Sequence, residues 1–231
     1  MKSMDNRYIN STDNPFGPNA HILCQIAPGS AVLDVGCGRG WLCDLLRREK
    51  GCHTTGIEIV EAFVAEAQER CDSIVRADVT DLDAMERVAG DFDYIVFADI
   101  LEHIVDPVDL LKRACKKLKP GGKVIVSIPN VAHYSMRLHL LFGQFQYTDE
   151  GLLDRTHLRF FTYESSQALL RAAGFKIIHK AMSIFNPAGG HLSPLKYLHL
   201  KLEAYLGKWF PNLIALQNIY TAVPDADSTS S

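Results

Sequence analysis

The stretch "VLDVGCGRGWL", Val32 to Leu42, decides the fold. An apolar run carrying one acid, Asp34, ends in three alternating glycines, Gly36, Gly38 and Gly40, and a helical pattern opens at Trp41. This is a β-strand passing into a helix through a loop whose bare backbone can meet a ligand, since no Cβ stands in the way. A tight turn with no ligand satisfies the same pattern. The spacing is GxGxG, so Trp41 occupies the place where a GxGxxG dinucleotide loop needs its third glycine, and no GK[ST] follows for a P-loop.

From residue 31 outward, apolar runs alternate with helical patterns, which predicts βα units and a mostly parallel sheet. Strands are expected over Ala31–Val35, His53–Ile57, Ser73–Arg76, Phe92–Ala98 and Lys123–Ile128. Helices are expected over Trp41–Lys50, Val60–Cys71, Leu82–Val88 and Pro107–Leu118. The last of these is marked by "DPVD", with Asp106 as N-cap, Pro107 at the first helical position and Asp109 in the first turn. It stops at "KKLKPGG", where lysines meet the negative end of the helix and Pro120 with Gly121 and Gly122 turns the chain.

After the fifth strand, residues 130–161 break the rhythm as an insertion. A helix over Tyr163–Ala173, a strand over "FKIIHKAM" and a helical stretch "SPLKYLHLKLEAYLGKWF" follow. "NLIALQNIYTAV" is a final strand, antiparallel if a hairpin-like connection joins it.

With 231 residues and 47% hydrophobic content, the chain can bury the core of one domain. That domain is expected over 1–223, with 1–30 as an N-terminal cap segment, 130–161 covering the substrate, 190–211 as an additional helix, and 224–231 as a disordered tail. A net charge of -3 supplies no basic field, so nucleic acid is not an expected partner. Six cysteines without CxxC spacing indicate reduced thiols and a cytoplasmic protein. Neither a secretory leader nor a membrane span is expected.

Three further acids fall at or just past the carboxyl ends of predicted strands, the edge where open α/β sheets bind ligands: Glu58 in "TTGIEIV", Asp78 in "VRADVTDL" and Asp99 in "VFADILEH". A carboxylate after the second strand can accept from ribose hydroxyls, and one after the third from an exocyclic amine. Each acid alone equally suits a helix N-cap.

Together, "VLDVGCGRGWL", "GIEIV", "RADVTDL", "FDYIVFADILEHIVDP" and "LKPGGKVIVSIPN" resemble the successive motifs of class I S-adenosylmethionine-dependent methyltransferases, over residues 31–130. The resemblance implies a Rossmann-like α/β fold, a seven-stranded mostly parallel sheet with helices on both faces and the last strand antiparallel. It implies S-adenosyl-L-methionine as cofactor. Asp34 with the loop of Gly36, Cys37, Gly38 and Gly40 would hold the methionine part, Glu58 with Ile59 the ribose side, Asp78 with Val79 the adenine, and Ala98 with Asp99 the methionyl amine side.

The sulfonium of that cofactor is already a strong electrophile, so the chain must chiefly align a nucleophile and exclude water; a base is needed for a hydroxyl or a protonated amine. Candidate catalytic residues are His157 in "DRTHLRFFT", Asp154 beside it as an orienting carboxylate, and His133 beyond "SIPN". His103, Asn130 and Arg159 are candidate substrate contacts. Against this stands the reading that His157 and Arg159 only tie the insertion to the sheet and that His103 packs. Asp149, Glu150, Asp154 and His157 offer oxygen and nitrogen to a divalent metal, but such loops are usually solvated and no metal is expected.

The segment from "SIPN" to "THLRFFT" resembles small-molecule methyltransferases of sugars, lipids and antibiotics, and also methionine-biosynthesis protein W. Two functions follow: methyl transfer to a hydroxyl, less readily an amine or carboxylate, of a sugar, lipid-linked or secondary metabolite; or an accessory protein that regulates a partner enzyme. Leu198, Leu202, Tyr205, Leu206 and Trp209 share one helical side, which suits packing on the domain, a homodimer, or peripheral membrane contact.

Overall fold

The computed structural model describes residues 16–184 and 194–225. The start of the cap segment, the first residues of the additional helix and most of the tail lie outside them. Strands β1 (Ala31–Val35), β2 (His53–Glu58), β3 (Ser73–Arg76), β4 (Phe92–Ala98), β5 (Leu118–Pro129), β6 (Phe175–Ser183) and β7 (Gln217–Pro224) form a single sheet in the order β3-β2-β1-β4-β5-β7-β6. β1 to β5 are parallel, and β7 runs antiparallel to both of its neighbours. The Rossmann-like methyltransferase architecture expected from the motifs is therefore present.

Helices α1 (Pro18–Gln25) and α2 (Trp41–Lys50) cover one face, and α4 (Pro107–Cys115) and α6 (Tyr163–Ala172) the other. Strand residues alternate between the two cores as the pleat requires. Val32, Tyr94, Val96 and Ile125 pack with Ile22, Leu42, Leu45 and Leu46. Leu33, Val35, Ile95, Phe97, Val124 and Val126 pack with Leu110, Leu111, Leu169 and Leu170. Each fully buried side chain of this size contributes on the order of 1.5–3 kcal/mol of transfer free energy.

The caps are those the residues call for. Asp106 accepts from the Asp109 amide at 3.1 Å with Pro107 in the first turn, and Thr162 and Ser165 cap α6 reciprocally. α2 begins at Gly40, whose φ is 76°, and ends on Gly51 in the left-handed region.

Four expectations need correction. Helix α3 spans only Glu61–Ala67, because the chain turns through residues 68–72 to enter β3. Leu82–Val88 is a run of turns rather than a helix. Its bonds are mostly of the tighter i→i+3 kind, and only Ala84, Met85 and Val88 are buried. α4 ends at Cys115 because Leu118 already pairs with Phe92 at the start of β5. β7 starts at Gln217 and is no hairpin partner: the connection from β6 carries α7 (Pro194–Gly207) and α8 (Pro211–Ile214), and β7 then slots between β5 and β6. The insertion carries one helix, α5 (Tyr134–Leu141).

Candidate functional site

The glycine loop leaves β1 held from below, with the Gly36 and Cys37 amides both donating to the Ile57 carbonyl at 2.9 Å. Gly36 has φ 73°, and a Cβ there would lie 2.8 Å from Ile100 Cδ1, so glycine is required on both counts. Gly38 differs: its φ is 54°, but a Cβ would point into open space with nothing within 4 Å. The backbone there is open to close approach.

Glu58 ends β2 nearly buried, and its carboxylate is bonded by backbone. Oε2 accepts from Gly38 N at 2.9 Å, and Oε1 from Ile59 N at 2.9 Å and Val60 N at 2.8 Å. With three of about four lone-pair positions used, one remains open on the oxygen that faces the loop. Beside it Ile59 and Val60 leave their side chains exposed at the sheet edge.

Asp34 lies inside β1, buried, with the Cys43 thiol at 3.8 Å as its hydrogen-bond donor. Burial, with the negative character of Cys71 and Glu58 adding, pushes its carboxyl up to about 8. It is a buried acid that lacks a countercharge.

After β3, Asp78 Oδ1 accepts from the Thr80 amide and hydroxyl at 2.8 and 2.7 Å, fixing a turn. Arg113 of α4 braces that turn by donating to the Val79 and Asp81 carbonyls, a tie with no local signature in the sequence. Ala98 and Asp99 end β4. Asp99 adopts φ 54°, a backbone position an aspartate tolerates better than most residues, and its Oδ1 accepts from Gln217 Nε2 at 2.5 Å.

One turn beyond Asp99 lies a group that the sequence reading only half anticipated. Glu102 is buried, and neither carboxylate oxygen has a hydrogen-bond partner. His157 Nε2 stands 3.9 Å from Glu102 Oε1, and the His103 and His157 rings meet edge to face at 4.8 Å. The insertion is delivered here by backbone: the Leu158 and Arg159 amides both donate to the Glu102 carbonyl. Burial, then the Asp99 charge, holds Glu102 well above the usual carboxylate range, while burial and His103 lower His157. Glu102, His103 and His157 also bring one donor atom each within 4.8 Å of one another, enough to take a divalent cation.

The other candidates are spread apart. Asp154 spends Oδ1 on the Thr156 amide and hydroxyl, so the carboxylate facing a His157 ring nitrogen is Glu102 and not Asp154. His103 Nδ1 faces Thr156. His133 is buried and caps α5, with Nδ1 at 2.8 Å from the Ser135 hydroxyl. Asn130 is fully buried, its amide donating to the Asn212 and Ala215 carbonyls and its oxygen accepting from Ala132, so it fastens the insertion rather than facing a substrate. Arg159 donates to the Val105 carbonyl, which ties the insertion to the loop before α4. Asp149 pairs with Arg155 at 2.8 Å and is not gathered with the histidines.

Residues 17–180 match the family described as a methyltransferase domain. The chain is similar to the ubiquinone biosynthesis O-methyltransferase of Azorhizobium caulinodans, 32% identical over 180 residues that cover 76% of this chain and 70% of that one. It is also similar to the mitochondrial ubiquinone biosynthesis O-methyltransferase of Homo sapiens, 28% identical over 78% of this chain. The chain spans 50% of the human protein and 45% of the Pseudomonas paraeruginosa protein that it matches at 39% identity over 44% of its own length. Among solved structures, a SAM-dependent methyltransferase of Thermotoga maritima superimposes with TM-score 0.63 at 17% identity, covering 94% of this chain and 92% of that one. A Haloferax volcanii protein solved in complex with the Trm112 methyltransferase activator gives 0.62 at 17% identity, covering 96% and 95%.

Proposed function

The chain belongs to the class I S-adenosylmethionine-dependent methyltransferases, and on that premise we propose that it methylates a hydroxyl of a small, partly apolar molecule, with His157 receiving the hydroxyl proton. The observation that carries this reading is the buried pair of His157 and Glu102 at the carboxyl edge of β4, beside Asp99. S-adenosylmethionine, when bound, supplies an electrophilic methyl group on a positively charged sulfur.

The residues present fit that cofactor. The open space above Gly38 admits a close-lying ligand backbone, and the buried acid Asp34 suits a ligand that brings positive charge. Glu58 keeps one acceptor position that would take a ribose hydroxyl. Glu58→Ala removes the acceptor and unties the loop. Cofactor affinity is expected to fall by about 1.5–3 kcal/mol, the worth of hydrogen bonds to a charged group. Wild-type affinity by titration calorimetry contradicts the assignment.

Asp34 makes the affinity depend on pH. Its carboxyl holds a proton up to about pH 8 in the free protein, and a cation placed beside it favours the ionised form. Below that pH a proton leaves on binding, so affinity for S-adenosylhomocysteine, which keeps the ammonium group, rises with pH and levels off above about 8. In Asp34→Asn the rise disappears. Calorimetry in two buffers of different ionisation heat at one pH measures the released proton directly.

On the acceptor side, His157 Nδ1 lies 3.3 Å from the Leu152 carbonyl. The tautomer with its proton on Nδ1 leaves the Nε2 lone pair free as the base. Oxygen as the accepting atom is supported by the O-methyltransferase relatives. An apolar body is supported by exposed Leu138, Leu141, Phe142, Phe145 and Tyr147 on α5 and the loop after it. Among the described residues no helix is long and apolar enough to cross a membrane. Label transfer from the methyl-labelled cofactor to hydroxylated amphiphiles, with hydrophilic sugars and amines alongside, tests the reading; transfer to amines alone overturns it.

A further inference from the structure

Behind the glycine loop, three of the six cysteines meet in one pocket. Cys37 lies on the loop between Gly36 and Gly38, Cys43 in the first turn of α2, and Cys71 after α3. All three are buried and pack with Ala67 and Ile74 as a cluster separate from the two main cores. Their sulfurs fill room that two glycines leave. A Cβ on Gly40 would lie 3.1 Å from the Cys71 sulfur, and one on Gly56 would lie 2.5 Å from the Cys37 sulfur.

The three thiols are not equivalent. Cys71 is the thiol held down, to about 4, by the neighbouring Cys37 and Cys43 thiols and the Arg47 guanidinium. Cys37, which donates to the Gly38 carbonyl at 3.7 Å, and Cys43 are both pushed up. Cys43 is also the donor to Asp34 and is held inside a helix. Cys37 instead sits on the loop between β1 and α2, outside any helix or strand.

We propose that Cys71 and Cys37 are a peroxide-sensitive thiol pair whose disulfide drags the glycine loop out of position for the cofactor. The effect on binding rests on the reading above, in which that loop holds the cofactor. A hydroperoxide is the oxidant. The Cys71 thiolate attacks its outer oxygen and becomes a sulfenic acid as hydroxide leaves. The Cys37 thiol then displaces that oxygen, forming the S–S bond and releasing water. In sum two thiols and one hydrogen peroxide give one disulfide and two waters. Closing the sulfurs from contact to a covalent bond moves Cys37, and with it the Gly38 amide that Glu58 holds at 2.9 Å.

The test treats the reduced protein with hydrogen peroxide, maps the cysteines by differential alkylation and mass spectrometry, and titrates S-adenosylhomocysteine before and after. The expected result is loss of two hydrogens, a Cys37–Cys71 cross-linked peptide, and binding at least about tenfold weaker that dithiothreitol restores. Cys71→Ser is expected to bind as the reduced wild type does and to ignore peroxide. A map without that cross-link overturns the proposal whatever the ligand does, and so does a cross-linked protein that binds as tightly as before. Reduced protein that never binds S-adenosylhomocysteine overturns the cofactor-site reading, and with it the claimed effect on binding, while the peptide map still reports separately on the thiol pair.

Discussion

His157→Ala is expected to lower the methyl-transfer rate by about 10²–10⁴-fold, the range for removal of a positioned base, while affinity for S-adenosylhomocysteine stays at the wild-type value. The separation follows from placement. His157 arrives on the insertion and touches Glu102, His103 and Phe160, whereas the glycine loop, Glu58 and Asp78 belong to β1, β2 and β3. Because burial and His103 lower its pKa from the ordinary 6.5, the wild-type rate should climb with pH through a midpoint below 6.5 and stay level above it. The variant should lose that limb. A rate within twofold of wild type with the limb intact returns His157 to a packing role.

Gly38→Leu is expected to weaken the cofactor by at least about 100-fold with a modest change in melting temperature. Nothing stands within 4 Å of a Cβ at this position, so the added side chain enters space the folded protein does not use. The backbone cost of a side chain at φ 54° is roughly 1–2 kcal/mol, which for a chain of this size lowers the melting point by a few degrees. A folded variant that binds the cofactor normally removes the ligand from above the loop.

The proposed cofactor half of the site rests on local signals. A strand, alternating glycines and a helix follow one another from Val32 to Leu42, and each acid sits at a strand end where its own segment puts it. Caps behaved the same way, with Asp106 and Thr162 each serving the helix that follows. The acceptor half is built from distant segments. Glu102 becomes the partner of His157 only because the insertion folds back and donates two amides to the Glu102 carbonyl. No spacing in "DRTHLRFFT" reveals this, and the nearby Asp154 was the more obvious carboxylate. Leu82–Val88 failed for a related reason: its composition suits a helix, but the chain is pulled into turns by the burial of three residues and by the reach of Arg113 to the Asp81 carbonyl.

The place of β7 bears on how the molecule is made. Among the described residues β6 pairs with no strand but β7, and β5 has β7 on the side away from β4, so both keep bare edges until residues 217–224 have emerged from the ribosome. The first residue of that strand, Gln217, is also the one that bonds Asp99 at the proposed cofactor edge. A nascent chain therefore carries two adhesive borders and an unfinished ligand edge together, and a single docking event removes both. Premature termination anywhere before Gln217 should yield a product that aggregates rather than one that competes for cofactor.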